Sequence, residues 1–227
     1  MRSEIEGVAF DLDGTLYPNY RLHIRLIPFL LKEWRLVSAF GKARNIIRKK
    51  QEKPINPTDG FYKQQADITA EILGKQPVPT EEKINRLIYK GWEPLFKSIK
   101  LYKGVIETVT AIKKAGYKLG LLSDFPPEIK LKNLNIYEIW DVIMCSERCG
   151  ALKPHSLSFM ELAAAMSLPP QRIIYVGNSL KYDVTGAYLA GMKTALIKSR
   201  LFPDIKKKPK ADFTFNNYRQ LYDFMLN

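Results

Sequence analysis

The chain begins with a short apolar run. Gly7 to Leu12, GVAFDL, has the length of a buried strand and ends at an acidic-glycine turn. The pattern then turns helical. Ile27, Leu30, Leu31, Trp34, Val37 and Phe40 recur at offsets that line one face of a helix. Two prolines in KPINPTDG break the period. Thr58 is positioned to cap a second helix, with Phe61, Gln65, Ile68 and Ile72 on one stripe and Gly74 at its end. After a further break, KQPVPT, Thr80 is positioned to cap a third helix. Glu81 and Glu82 fall in its positive first turn, and Ile84, Leu87 and Ile88 face inward. Residues 17–100 therefore read as all-helical.

From Val105 onward, strands and helices alternate. A helix runs to Ala115 and stops at Gly116. YKLGLLSD and WDVIMCS read as strands, and His155 to Met166 as a helix. RIIYVGN reads as a strand, Lys181 to Ala190 as a helix stopped by Gly191, and KTALIKS as a strand. ADFTF and YRQLYDFML supply a last strand and helix. This alternation predicts an α/β fold: a Rossmann-like, doubly wound parallel sheet formed by residues 1–16 and 101–227. Residues 17–100 would be an all-helical insertion after the first strand. In such sheets ligands bind at the carboxyl ends of the strands.

Composition narrows the class. The chain has 227 residues, 46% hydrophobic and 26% charged, the usage of a folded globular protein. No apolar run approaches the ~20 residues of a membrane span, and MRSEIEGVAFD carries acids where a secretory leader has an apolar stretch. The two cysteines, Cys145 and Cys149, read as free thiols of a reducing cytosol, so the expected location is cytoplasmic. The net charge is +13, and ten Lys or Arg fall between Tyr17 and Lys53 against Glu33 and Glu52. That excess favours anionic partners, or is simply a solvated helix face. Few aromatics interleave KARNIIRKK, which weakens a nucleic-acid reading.

Four polar clusters follow predicted strand ends: Asp11 and Asp13; Ser123 and Asp124; Lys153; and Asn178, Ser179 and Asp183. Parallel strands would bring all four to one edge. Asp11 and Asp13 leave their strand on the same side. Two carboxylates so close imply a bound cation or one retained proton. Gly14 permits the tight turn that follows. A D-x-D-G-T string fixes four positions and arises by chance in of order one in several hundred chains this long, so a mere Asx turn is a weak explanation.

These segments resemble the motifs of the haloacid dehalogenase-like hydrolase superfamily, in the phosphatase branch whose helical cap follows the first motif. FDLDGTL resembles motif one, LLSDF motif two, GALKPHSLSF motif three and IIYVGNSLKYDVTGAYLAGM motif four, so the resemblance covers essentially the whole chain. It implies a Mg2+-dependent phosphatase acting on a small phosphorylated metabolite through an aspartyl-phosphate, with residues 17–100 as the cap. It also implies roles. Asp11 is the nucleophile and a metal ligand. Asp13 is the general acid/base, and its carbonyl also binds the metal. Ser123 and Lys153 hold the phosphoryl group, with Gly14 and Asp124 beside it. Asn178 and Asp183 are the remaining metal candidates. Cap residues set substrate choice in this family, so the basic insertion suggests a multiply anionic substrate.

Two departures stand out. Motif four usually reads Gly-Asp, and here it reads Gly177-Asn178; motif two carries Asp124 after its serine. An amide oxygen can ligate Mg2+ but brings no charge. The amide raises an alternative, a phosphatase-like binding protein with little turnover. Anionic-ligand or nucleic-acid binding by the basic insertion is another. The presence of Asp13 disfavours the metal-free dehalogenase branch. Nothing in the pattern specifies an oligomeric state.

Overall fold

The computed structural model describes residues 4–50, 60–198 and 210–227. Thr58, Lys53 and most of the basic stretch near Lys206 lie outside them. Six parallel strands form one sheet in the order β3-β2-β1-β4-β5-β6. They are β1 (Gly7–Phe10), β2 (Lys118–Ser123), β3 (Val142–Cys145), β4 (Ile173–Gly177), β5 (Lys193–Ile197) and β6 (Phe213–Phe215). β1 sits at the centre, with Phe10 opposite Leu121 on one side and Val176 on the other.

Strand alternation sorts the core into two layers. Val8, Phe10, Leu121 and Val176 face α5 (Val105–Lys114) and α9 (Tyr218–Leu226). Ala9, Leu122 and Tyr175 face α7 (Ser156–Ala165), where Phe159 lies edge-on to Tyr175. Both faces are buried, so these strands read as continuous apolar runs. Among the described residues, no helix is long and apolar enough to cross a membrane.

Between β1 and α5 the described elements are helical. α1 (Asn19–Lys50) and α2 (Gly60–Leu73) pack together, and α3 (Pro77–Ile84) continues through a π turn (Asn85–Tyr89), α4 (Lys90–Trp92) and a 3-10 turn (Glu93–Ser98). Leu36, Phe40, Ala66, Ile84 and Ile88 form a small apolar core of their own. The expected face of α1 is only partly the observed one. Phe40 is buried as expected, but Ile27, Leu31 and Trp34 are exposed, and the other buried residues are Leu22, Leu26, Leu36, Ala39, Ala43, Arg44 and Ile47. The backbone leaves helical geometry at Glu33, so two halves with different inward faces are joined there. Thr80 lies inside α3 instead of capping it. Pro77 starts the helix, where a missing N–H costs nothing, and the Thr80 hydroxyl donates to Gln76 O.

The edge where the strands end

β1 ends at Phe10, and the Asp11 N–H donates to Val176 O across the strand end. The next turns carry the polar residues to one point. Asp11 is buried: its Oδ1 accepts from Lys153 Nζ at 2.6 Å and its Oδ2 from Thr15 Oγ1 at 2.7 Å. Burial, reinforced by the Asp183 and Asp13 carboxylates, outweighs Lys153 and raises its pKa to about 7. Lys153 is 3% exposed and also donates to Asp183 Oδ1 at 2.8 Å. Burial disfavours its charge, but Asp11 and Asp183 prevail and hold its pKa well above the ordinary lysine value.

The loop after β4 answers what Asn178 does. Asp183 Oδ2 accepts the backbone N–H groups of Asn178 (3.1 Å) and Ser179 (3.0 Å), so this carboxylate pins the loop from within. Gly177 is required there, because a Cβ would stand 2.3 Å from the Asp183 Cβ. Ser179 caps the following π turn (Leu180–Val184) by accepting from Tyr182 N. The Asn178 side chain instead reaches across to β1's loop, and its Nδ2 donates to Asp13 O at 3.3 Å. Gly14 has φ 88°, and a Cβ on it would fall 1.9 Å from that Nδ2, so only glycine lets the two loops touch.

Asp13 is held at both oxygens, Oδ1 by the Tyr17 hydroxyl and Oδ2 by Lys130 Nζ at 2.8 Å. Asp124 pairs with Arg48 at 2.7 Å and accepts from Lys153 N at 3.1 Å. Burial would raise its pKa, but Lys153, Arg44 and Arg48 hold it below the ordinary carboxylate value. Its charge is thus engaged by arginines of α1. Ser123 closes β2, fully buried, and its hydroxyl accepts from Phe125 N at 3.2 Å.

Asp11, Asp13, Asp124, Lys153, Asn178 and Asp183 all border one cavity of about 790 Å3. Gly14 and Ser123 lie behind this wall. Four partners were missed in the sequence: Thr15, Tyr17, Lys130 and Tyr175, whose hydroxyl lies 3.2 Å from Lys153 Nζ. Thr15 and Tyr17 sit in the loop of the first motif and were within reach of a close reading. Lys130, 117 residues from Asp13, carries no local signal.

Hard oxygens converge here: the Asp11 carboxylate, the Asp13 carbonyl and the Asn178 amide. Magnesium takes such donors and keeps several waters. Turning the amide about its Cβ–Cγ bond exchanges N for O toward Asp13 O, so the set fits that ion. Among the described residues, no group of three His, Cys, Asp or Glu side chains forms a metal cluster.

The comparisons with known proteins agree with this geometry. A family model described as haloacid dehalogenase-like hydrolase matches residues 5–191. The glyceraldehyde 3-phosphate phosphatase of Methanopyrus kandleri is 26% identical over 228 residues, 96% of each chain. The phosphoglycolate phosphatase of Escherichia coli is 26% identical over 208 residues, covering 83% of this chain and 79% of its own. The crystal structure of a HAD phosphatase from Thermococcus onnurineus superposes with a TM-score of 0.65 at 21% identity. It covers 97% of this chain and 98% of its own, a likeness of fold.

Proposed function

The chain belongs to the haloacid dehalogenase-like hydrolase family, and from that premise we propose that it is a magnesium-dependent phosphatase of small phosphorylated metabolites. The observation that carries the proposal is the buried ammonium of Lys153 between Asp11 and Asp183, at the edge where β1, β2 and β4 end. The phosphatase names of the two relatives support it.

In the proposed reaction an Asp11 carboxylate oxygen attacks phosphorus in line with the ester oxygen. The P–O bond to the alcohol breaks, a proton from Asp13 goes to the leaving oxygen, and an aspartyl-phosphate remains on Asp11. Water then attacks phosphorus, its proton passes to Asp13, and inorganic phosphate leaves with Asp11 restored. Thr15 and Lys153 fix the two oxygens of Asp11, which supports a single attack direction. Lys153 also offsets phosphoryl charge. Tyr17 and Lys130 orient Asp13. Magnesium, held by the Asp11 carboxylate, the Asp13 carbonyl and the Asn178 amide oxygen, would neutralise the phosphoryl oxygens. Asp183, with both oxygens engaged, would act by holding Lys153 and the Asn178 loop.

Residues 17–100 would serve as the cap that excludes water, and the two free thiols support a cytosolic setting. The test is hydrolysis of p-nitrophenyl phosphate across a magnesium titration, with Asp11→Asn as control. Magnesium-dependent turnover lost in the variant is expected. Phosphate binding without turnover at any magnesium concentration would favour the binding-protein alternative.

A further inference from the structure

Among the described residues, the basic side chains of the insertion do not line the cavity. Of the ten Lys and Arg between Tyr17 and Lys53, nine lie among the described residues, and none of these lines it. Several are committed elsewhere. Arg21 donates to Leu101 O, Arg25 to Ser98 O, Arg44 pairs with Glu147, and Arg48 with Asp124. The lysines that border the cavity, Lys130, Lys153, Lys181 and Lys198, come from the sheet domain.

What the insertion does present is mostly apolar. Leu22, Leu26 and Leu30, one stripe of α1 at four-residue steps, line the cavity together with Trp92 and Phe96, and Phe125 joins them from the loop after β2. Among the described residues, the carboxylate on the insertion's part of the wall is Glu93, beside the polar side chains of Asn19 and His23. The Tyr89 hydroxyl, also on that wall, is already engaged by Glu147 and Gln65. At the boundary, the Lys130 ammonium sits 5.0 Å from the Phe96 ring centroid and 5.1 Å from that of Phe125 while pairing with Asp13. The cavity is therefore divided: charged beside Asp11, Asp13 and Lys153, and largely apolar along the insertion's wall. Its volume of about 790 Å3 lies within the ~300–1,000 Å3 of sites that enclose drug-sized ligands.

We infer that the substrate is a phosphomonoester of an apolar alcohol, an alkyl or arylalkyl phosphate, and not a second polyanion. This rests on the phosphatase reading above. A second phosphate or carboxylate directed at the insertion's wall would lie against Glu93 and leucines, since Lys181 and Lys198 belong to the sheet domain's wall. An alkyl or aryl group would be removed from water by the stripe and the rings. Binding energy gained there, remote from phosphorus, is available to lower the barrier.

The n-alkyl phosphates from ethyl to octyl test this with the full-length enzyme and magnesium, because their leaving groups are nearly equal in basicity. Each methylene that reaches the wall should raise kcat/KM by up to about fourfold, the Boltzmann factor of ~0.8 kcal/mol per buried CH2. Hexyl phosphate should also exceed phosphoglycolate, and Leu30→Asn should lower the hexyl-to-ethyl ratio. A flat or falling series with phosphoglycolate turned over best, or a ratio unchanged in Leu30→Asn, overturns the inference and leaves the phosphatase reading intact. No turnover of any ester, p-nitrophenyl phosphate included, fails the phosphatase reading itself.

Discussion

Replacing Arg44 by methionine should loosen the helical insertion from the sheet domain. Arg44, on α1, pairs with Glu147 in the turn after β3, and both side chains are buried, 5% and 0% exposed. Gln65 Oε1 accepts from Arg44 at 3.0 Å, and the Tyr89 hydroxyl donates to the Glu147 carboxylate at 3.0 Å. The pair is nonetheless incompletely satisfied, since Glu147 Oε2 has no hydrogen-bond partner. Methionine preserves much of the stem that packs near Phe125 but leaves Glu147 buried without its cation. Breaking a buried pair from one side costs about 3–5 kcal/mol. At ~2–4 °C per kcal/mol for a chain of this size, the expected fall in Tm is about 6–20 °C. Differential scanning calorimetry reads it directly. The double variant Arg44→Met, Glu147→Leu should recover most of the loss, because it removes the stranded charge. A single-variant fall no larger than the ~0–1 kcal/mol of an exposed pair, or a double variant as unstable as the single, would refute the reasoning.

Three further outcomes follow from the site. Asn178→Asp places a carboxylate beside Asp13 O, so it should lower Tm without magnesium and lower the magnesium concentration for half-maximal activity; an unchanged requirement in the titration would remove residue 178 from the metal. Lys153→Ala should cut kcat by on the order of 10²–10³, read by steady-state kinetics alongside Tm, and a loss confined to stability would make the lysine merely structural. Asp124 is held below its ordinary pKa of 3.8, so its ionised form stabilises the fold fully above that value. The contribution is lost as pH falls through the lower folded value. Asp124→Asn should therefore flatten the acid limb of a Tm-against-pH series below about pH 4, and an identical limb would contradict the assignment.

How much of this was legible in sequence depends on the range of the interaction. The strands β1, β2 and β4 announce themselves as short apolar runs, because burial on both sheet faces removes polar residues locally. The clusters at their ends are fixed by chain direction alone, so the sequence already brings Asp11, Lys153, Asn178 and Asp183 to one edge. The face of α1 could not, because the break at Glu33 resets the helical period and sends Ile27, Leu31 and Trp34 outward. Charge was misleading for the same reason. The run from Arg21 to Lys50 is basic in composition, yet partners as distant as Glu147 and Asp124 decide which side chains turn away from the cavity. Lys130 and Glu147 belong to tertiary pairs more than 100 residues apart, and no periodicity encodes them.

The central claim is that Asp11 carries the phosphoryl group. Rapid quench of the enzyme with p-nitrophenyl phosphate and magnesium, followed by peptide mass analysis, tests it most directly. One phosphoryl group on the peptide containing Asp11, absent from Asp11→Asn, is the predicted result. Continued turnover by Asp11→Asn, or phosphoryl transfer to another residue, would contradict it.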